Sequence, residues 1–257
     1  MEETLPISEI FTSWQGEGLL TGTPSVFLRV AGCHLRCTFC DTRYAWETIS
    51  AVKQTVNSLV TTIQFMAENP KFPKLIPECT FLPIPAAVTR IFHVVITGGE
   101  PLLFPALIPL TQKLRTLGFH ITVETSATRF LPLSCNLWSL SPKLLNSLPA
   151  FQENPAFYAQ HKAHCQYSAS TLQKFTASQT DYQLKFVINT PEDISEIQDF
   201  MKAYPFLHPD RVLLMAQGKT RNEILSKERW LQELAAFHKY RISPRAHLFW
   251  FNQKQGV

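Results

Sequence analysis

Apolar residues recur along this chain in short, nearly unbroken runs, separated by stretches that are apolar only at every third or fourth position. The unbroken runs are residues 26–30 (VFLRV), 93–96 (HVVI), 121–124 (ITVE), 137–140 (LWSL), 183–189 (QLKFVIN) and 211–215 (RVLLM), with 247–251 (HLFWF) as a candidate last one. Runs apolar on both faces are what parallel strands covered by helices require. Between them, Ile49, Val52, Val56, Leu59 and Ile63 mark one helix. Leu107, Leu110, Leu114 and Leu117 mark a second, which Gly118 is placed to end. Thr190 can cap a third, with Pro191 in its first turn, Glu192 and Asp193 at its positive end, and Ile194, Ile197 and Met201 on its buried side. Trp230, Leu234 and Phe237 lie on a fourth.

Strands alternating with helices predict βαβ units and a parallel sheet. Two stretches break the alternation. Residues 69–85 are proline-rich and expected to form an ordered surface excursion, and residues 146–179 are poorly periodic and expected to be a second insertion. Neither reads as a linker and no internal repeat is present, so residues 1–257 are expected to be one domain.

Composition narrows the class. The chain has 257 residues, 45% of them hydrophobic, enough for one sizeable core. The 18 prolines outnumber the 9 glycines, which predicts stiff loops. A net charge of +4 with no long basic run is too weak to argue for nucleic acid or an anionic membrane as partner. The N-terminus, MEETLPISEIF, is acidic and is not a secretory signal, and no apolar run approaches the ~20 residues that span a bilayer. A soluble cytoplasmic protein is expected, with its 6 cysteines mostly reduced.

The chemistry falls just past the expected strand ends. Cys33 follows VFLRV, Thr97-Gly98-Gly99-Glu100 follows HVVI, Thr125-Ser126 follows ITVE, Ser141-Pro142-Lys143 follows LWSL, and Gln217-Gly218 follows RVLLM. Active sites of parallel α/β proteins lie at the carboxyl ends of strands, so all these stretches point at one face. Cys33, Cys37 and Cys40 stand together in GCHLRCTFCDT. A disulfide is disfavoured by compartment and leaves one thiol over. A redox pair of Cys37 and Cys40 leaves Cys33 without a role. Closed zinc wants four ligands, and His34, adjacent to Cys33, is awkwardly placed to be the fourth. A cubane iron–sulfur cluster on three thiolates would leave one iron open to a small chelating molecule.

C-x3-C-x2-C with Phe39 before the last cysteine resembles the signature of radical S-adenosylmethionine (AdoMet) enzymes. In that superfamily the methionine amino and carboxylate groups chelate the open iron, and one electron cleaves the sulfonium to a 5′-deoxyadenosyl radical. Gly98-Gly99-Glu100-Pro101 resembles its second element, in which glycine gives a ligand close access to backbone. Further stretches narrow the likeness: QGEG at residues 15–18, FLRVAGC at 27–33, Asp41-Thr42, TGGEPLL, ETS, SPK, KFV and RISPRAHLFW. Together, from about Ile7 onward, they resemble the 7-carboxy-7-deazaguanine synthase family of the queuosine pathway, with residues 69–85 and 146–179 least covered.

That resemblance implies a partial, open (β/α)6 barrel of TIM type. It also implies conversion of 6-carboxy-5,6,7,8-tetrahydropterin to 7-carboxy-7-deazaguanine with loss of ammonia. The implied cofactors are a [4Fe–4S] cluster on Cys33, Cys37 and Cys40, AdoMet, and Mg2+ held by Thr42. Trp14, Gln15, Gly16, Glu17, Arg29, Thr97 and His247 would contact the pterin. Phe39, Gly99, Glu100, Ser141, Lys143 and, in a departure from the usual M-P-E-G, Gln217 would contact AdoMet. A homodimer and a flavodoxin- or ferredoxin-type reductant follow by the same likeness. Further departures are Ala127, where glycine is common, and His34, where asparagine is usual.

Plainer readings compete. Arg29 in an apolar strand needs a partner, and Glu124 or Glu100 would serve. Glu17 reads equally as a solvated loop residue, Thr42 as a helix cap and His247 as a core histidine. His161-Lys162-Ala163-His164-Cys165 offers no fourth metal ligand and reads as a surface helix or loop. Cys79, Cys135 and Cys165 read as small buried hydrophobes. The competing functions are a glycyl-radical activase, which QGEG and RISPRAH argue against, a non-catalytic iron–sulfur electron carrier, which leaves GGEP and SPK unexplained, and a zinc-stabilised module.

Overall fold

All six expected strands form, and all lie parallel in one sheet. The structure is a computed structural model that describes residues 2–75, 88–177 and 180–251. In chain order the strands are β1 (Thr4–Trp14), β2 (Pro24–Val30), β3 (Val52–Thr55), β4 (His93–Gly98), β5 (His120–Thr125), β6 (Leu137–Leu140), β7 (Asp181–Ile188), β8 (Val212–Ala216) and β9 (Arg241–Ile242). The helices are α1 (Val56–Glu68), α2 (Leu107–Thr116), α3 (Pro155–His164), α4 (Ala169–Ala177), α5 (Ile194–Ala203), α6 (Arg221–Leu225), α7 (Glu228–His238) and α8 (Ala246–Phe251).

The sheet runs β3-β1-β2-β4-β5-β6-β7-β8-β9, with β1 and β3 antiparallel at one edge. It is a partial, open barrel: β3 and β9 are its two edges and do not pair with each other. The parallel strands are apolar on both faces. Val94, Val95 and Ile96 in β4 and Leu213 and Leu214 in β8 are essentially inaccessible. Helices cover the outer face, as in α1, where Val56, Leu59, Ile63 and Ala67 are buried. Among the described residues, no helix is long and apolar enough to cross a membrane.

Four expectations need correction. The first helix starts at Val56, where the Thr55 side chain accepts from the Ser58 amide. Ile49 is 94% exposed, and Val52 belongs to β3, which pairs with β1. The run 247–251 is helical, not extended, and β9 takes the sheet edge instead. A short apolar run fits a buried helix as well as a strand, and Leu248 to Phe251 are buried on every side. In α7 the inward residues are Leu231 and Ala235, while Phe237 is 81% exposed. The irregular stretch 146–179 contains two real helices, and Phe175 of α4 packs edge-on against Trp138 at 5.0 Å. Cys79 and residues 76–85 of the proline-rich stretch lie outside the described residues.

Candidate active site

The carboxyl ends of the parallel strands, the segment after β1 and the start of α8 enclose a cavity of about 260 Å³. Two neighbouring loops form one wall. Gly98 (φ 134°) and Gly99 end β4 so close to the chain leaving β2 that a Cβ on either would overlap the backbone of Val30 or Gly32. The Gly99 amide donates to Val30 O at 3.0 Å, and the Glu100 amide to Gly32 O at 2.9 Å. These glycines are therefore needed for packing of backbone on backbone.

The loop so anchored carries Cys33, Cys37 and Cys40, and all three line the cavity. Cys40 N donates to Cys37 O at 3.1 Å, which folds the loop tightly. Burial pushes the Cys33 and Cys37 thiols up to about 12, so without a metal both hold their protons. Among the described residues, the one trio of metal-capable groups with donor atoms within 4.8 Å of one another is Glu17, Asp41 and His247. The three sulfurs do not all lie within 4.8 Å of one another, wider than the ~3.8 Å expected between thiolates on one tetrahedral zinc. A donor set of soft, spread sulfurs fits a multi-iron cluster better than a single ion.

Glu100 does not reach into the cavity with free lone pairs. Its carboxylate accepts from Leu102 N (3.1 Å), Thr125 Oγ1 (2.6 Å), Ser126 N (2.9 Å) and Ser126 Oγ (2.5 Å). It ties the end of β4 to the end of β5. Ser141 and Lys143 follow β6, with Lys143 Nζ donating to Ser141 Oγ at 2.9 Å. Tyr167 reaches between these loops: its hydroxyl accepts from Lys143 N (2.7 Å) and donates to Ser126 O (3.1 Å).

The opposite side of the cavity is a cage of charges. Lys185 Nζ bonds Glu17 Oε2 at 2.5 Å, and Arg245 Nη2 bonds Asp41 Oδ2 at 2.5 Å. Arg245 Nε faces Glu17 Oε1 at 3.5 Å and its Nη1 donates to Gly218 O. Burial alone would raise the Glu17 carboxyl, but Lys185, Arg245 and His247 outweigh it and hold the group well below the usual carboxylate range. Burial would likewise lower Lys185, and Glu17 and Glu124 reverse this to a net rise. Glu17 and Asp41 are thus already paired with the chain's own cations. His247 stands on the first turn of α8 with Nδ1 4.0 Å from Glu17 Oε1, and burial moves its pKa down. A Cβ on Gly16 would come within 2.6 Å of that Nδ1, so a side chain there would displace the His247 ring.

Arg29 finds its partner on β1 rather than on Glu124 or Glu100. Its Nε donates to Glu9 Oε1 at 2.6 Å, and Tyr44 OH donates to the same oxygen at 2.8 Å. Glu124 instead accepts from Gln15 Nε2 (3.1 Å) and Thr97 Oγ1 (2.9 Å). Trp14, Phe39 and Thr42 also line the cavity. Thr42 makes no capping bond, and its Oγ1 is 3.6 Å from Cys40 Sγ.

The structure thus brings together every site residue expected from sequence except Gln217. That side chain lies off the cavity, where Lys227 Nζ donates to its Oε1 at 3.2 Å, and Met215 lines the wall instead. The sequence gives Lys185 and Arg245 no role and Glu124 only that of a partner for Arg29, although Lys185 interrupts the apolar run QLKFVIN, itself a signal of a paired buried charge.

No protein-family model matches the chain. Curated proteins do. The 7-carboxy-7-deazaguanine synthase of Rhodopirellula baltica is 34% identical over 256 residues, covering 100% of this chain and 90% of that protein. The one from Halobacterium salinarum is 36% identical over 258 residues, covering 96% and 91%. The chain belongs to the 7-carboxy-7-deazaguanine synthase family. The fold agrees: the crystal structure of QueE from Escherichia coli superposes with a TM-score of 0.64 at 22% identity over 93% of each chain.

Two departures from the family pattern have visible consequences. Ala127 adopts φ 61°, a left-handed conformation that glycine takes without strain. His34 turns its Nε2 to Thr128 Oγ1 at 2.8 Å and packs edge-on against His164 at 4.5 Å, so it faces α3 and is not a cluster ligand.

Proposed function

We propose that the protein converts 6-carboxy-5,6,7,8-tetrahydropterin to 7-carboxy-7-deazaguanine with loss of ammonia, by radical ring contraction in 7-deazapurine (queuosine) biosynthesis. The observation that carries this reading is the opening of three cysteines on one loop and a charge cage into one cavity. A [4Fe–4S] cluster on Cys33, Cys37 and Cys40, with AdoMet beside Phe39, Gly99, Ser141 and Lys143, supplies when bound the one-electron chemistry that no side chain here provides.

The chain's own residues bind and orient the pterin. Arg29 commits its Nε to Glu9, leaving the guanidinium's terminal nitrogens for the substrate carboxylate. Glu17, kept ionised by its cations, accepts from the N–H edge of the aminopyrimidinone ring, with Gln15, Gly16, Thr97 and His247 around it. Trp14, Phe11, Phe27 and Met215 give apolar walls that exclude water from reactive carbon. Thr42 offers a hard oxygen for Mg2+ at the boundary between sulfur side and carboxylate side. The same reading makes the protein a one-domain cytoplasmic homodimer, reduced by a flavodoxin- or ferredoxin-type protein and without nucleic-acid or membrane contacts.

The test is anaerobic reconstitution with iron and sulfide, reduction, and incubation with AdoMet and the pterin, with products read by mass spectrometry. Formation of 7-carboxy-7-deazaguanine is expected. Release of 5′-deoxyadenosine without it would overturn the substrate assignment. Thr42→Ala is expected to weaken the dependence of turnover on Mg2+ while leaving iron content intact. An unchanged Mg2+ dependence would remove Thr42 from that role.

A further inference from the structure

The stretch HKAHC, left without a function by the sequence, lies on α3 directly against the loop between Cys33 and Cys37. Phe157, His161 and His164 are spaced i, i+4 and i+7, so they share one helical face. Each meets the loop. The Arg36 guanidinium lies over the Phe157 ring at 5.2 Å, His161 Nδ1 accepts from the Arg36 amide at 3.1 Å, and His164 packs on His34.

His161 is 1% exposed, and both its ring nitrogens are used. The Ser147 hydroxyl donates to Leu144 O at 2.6 Å, so the same oxygen receives the His161 Nε2 proton at 3.0 Å. That leaves Nδ1 as the acceptor the Arg36 amide needs. Ser147 also offers its carbonyl to the Thr38 amide at 3.0 Å. Arg36 in turn donates through Nη1 to Cys33 O at 2.8 Å. The backbone between two cysteines is thereby hung on one imidazole and one serine of the 144–164 segment.

We propose that His161 is a positioning residue for this loop: through the Arg36 amide it fixes where Cys33 and Cys37 stand, and the α3 segment is the brace on which the sulfur site is built. The proposal rests on the reading that these cysteines hold the cluster, and its test separates the two. His161→Phe keeps a ring but removes the acceptor, while His161→Asn restores an acceptor near the Nδ1 position. In the metal-free protein, amide hydrogen exchange at Arg36 is expected to speed up about tenfold in His161→Phe and to return toward wild type in His161→Asn. In reconstituted protein, iron loss to a chelator is expected to follow the same order, about tenfold faster in His161→Phe. Equal exchange at Arg36 in wild type and His161→Phe, or no recovery in His161→Asn, would overturn the assignment. If His161→Phe does not fold, Ser147→Ala, which frees the ring's tautomer, is read by the same exchange experiment: faster exchange at Arg36 is expected, and exchange equal to wild type would overturn the assignment. Failure of the wild type to take up a cluster would refute the cluster reading, while exchange at Arg36 still decides the brace.

Discussion

Two rungs of the same parallel ladder, between β2 and β4, bury polar groups in opposite ways. At the start of the strands Ser25 pairs with His93, and four residues on Arg29 pairs with Thr97. The first rung is neutral and complete: His93 Nδ1 meets Ser25 Oγ at 2.8 Å and its Nε2 meets Thr122 Oγ1 at 2.8 Å. The second opens onto the cavity, where charges are paired with one another yet keep hydrogen-bonding capacity toward a ligand. Neutral polar groups that satisfy each other seal the closed end of the barrel at little cost. Buried ion pairs at best offset their desolvation, so a fold that keeps several of them at one end keeps them for recognition.

The largest way to break this contrast is at the charged end. Glu17→Gln leaves Lys185 facing a neutral amide, and a loss of about 3–5 kcal/mol in urea unfolding is expected. Glu17→Gln combined with Lys185→Met is expected to recover much of that stability but none of the turnover. A single-variant loss below about 1 kcal/mol would mean that the cage is already wet.

The neutral end is tested by acid. Burial, with His120 beside it, pushes His93 down to about 3, below its ordinary 6.5. The unfolded histidine therefore takes its proton first as the pH falls. His93 contributes its stability in full above pH 6.5 and loses it as the pH drops toward about 3, at up to about 1.4 kcal/mol per pH unit. His93→Gln is expected to flatten the wild-type slope in that window. Parallel slopes for the two proteins would show that His93 is not held neutral.

A smaller effect sharpens the comparison. Glu9→Gln loosens Arg29 without removing it and is expected to raise the KM for the pterin about tenfold, with a lesser change in kcat. Equal falls in kcat and kcat/KM would point to a role for Glu9 beyond holding Arg29.

What the sequence reveals follows the same division. The six parallel strands are legible because their continuous apolar runs alternate with helical periodicity, and the cysteine loop is legible because its spacing is chemical rather than statistical. β1 is not, because a bulge between Ile7 and Glu9 breaks its alternation. α3 is not, because the face it turns to the cysteine loop is Phe157, His161 and His164, which a search for aliphatic periodicity passes over. The ion cage is half legible: Glu17 and His247 come from motifs, whereas the pairing of Glu17 with Lys185 joins segments 168 residues apart in sequence.

The two glycines that end β4 press main chain on main chain against the loop that carries the sulfurs. No side chain separates these two walls, so no substitution of a side chain can act as a shim between them. The spacing between the loop after β2 and the loop after β4 is therefore written in peptide geometry. Sequence drift elsewhere in either loop changes what the cavity prefers to bind while leaving the spacing of the two loops untouched.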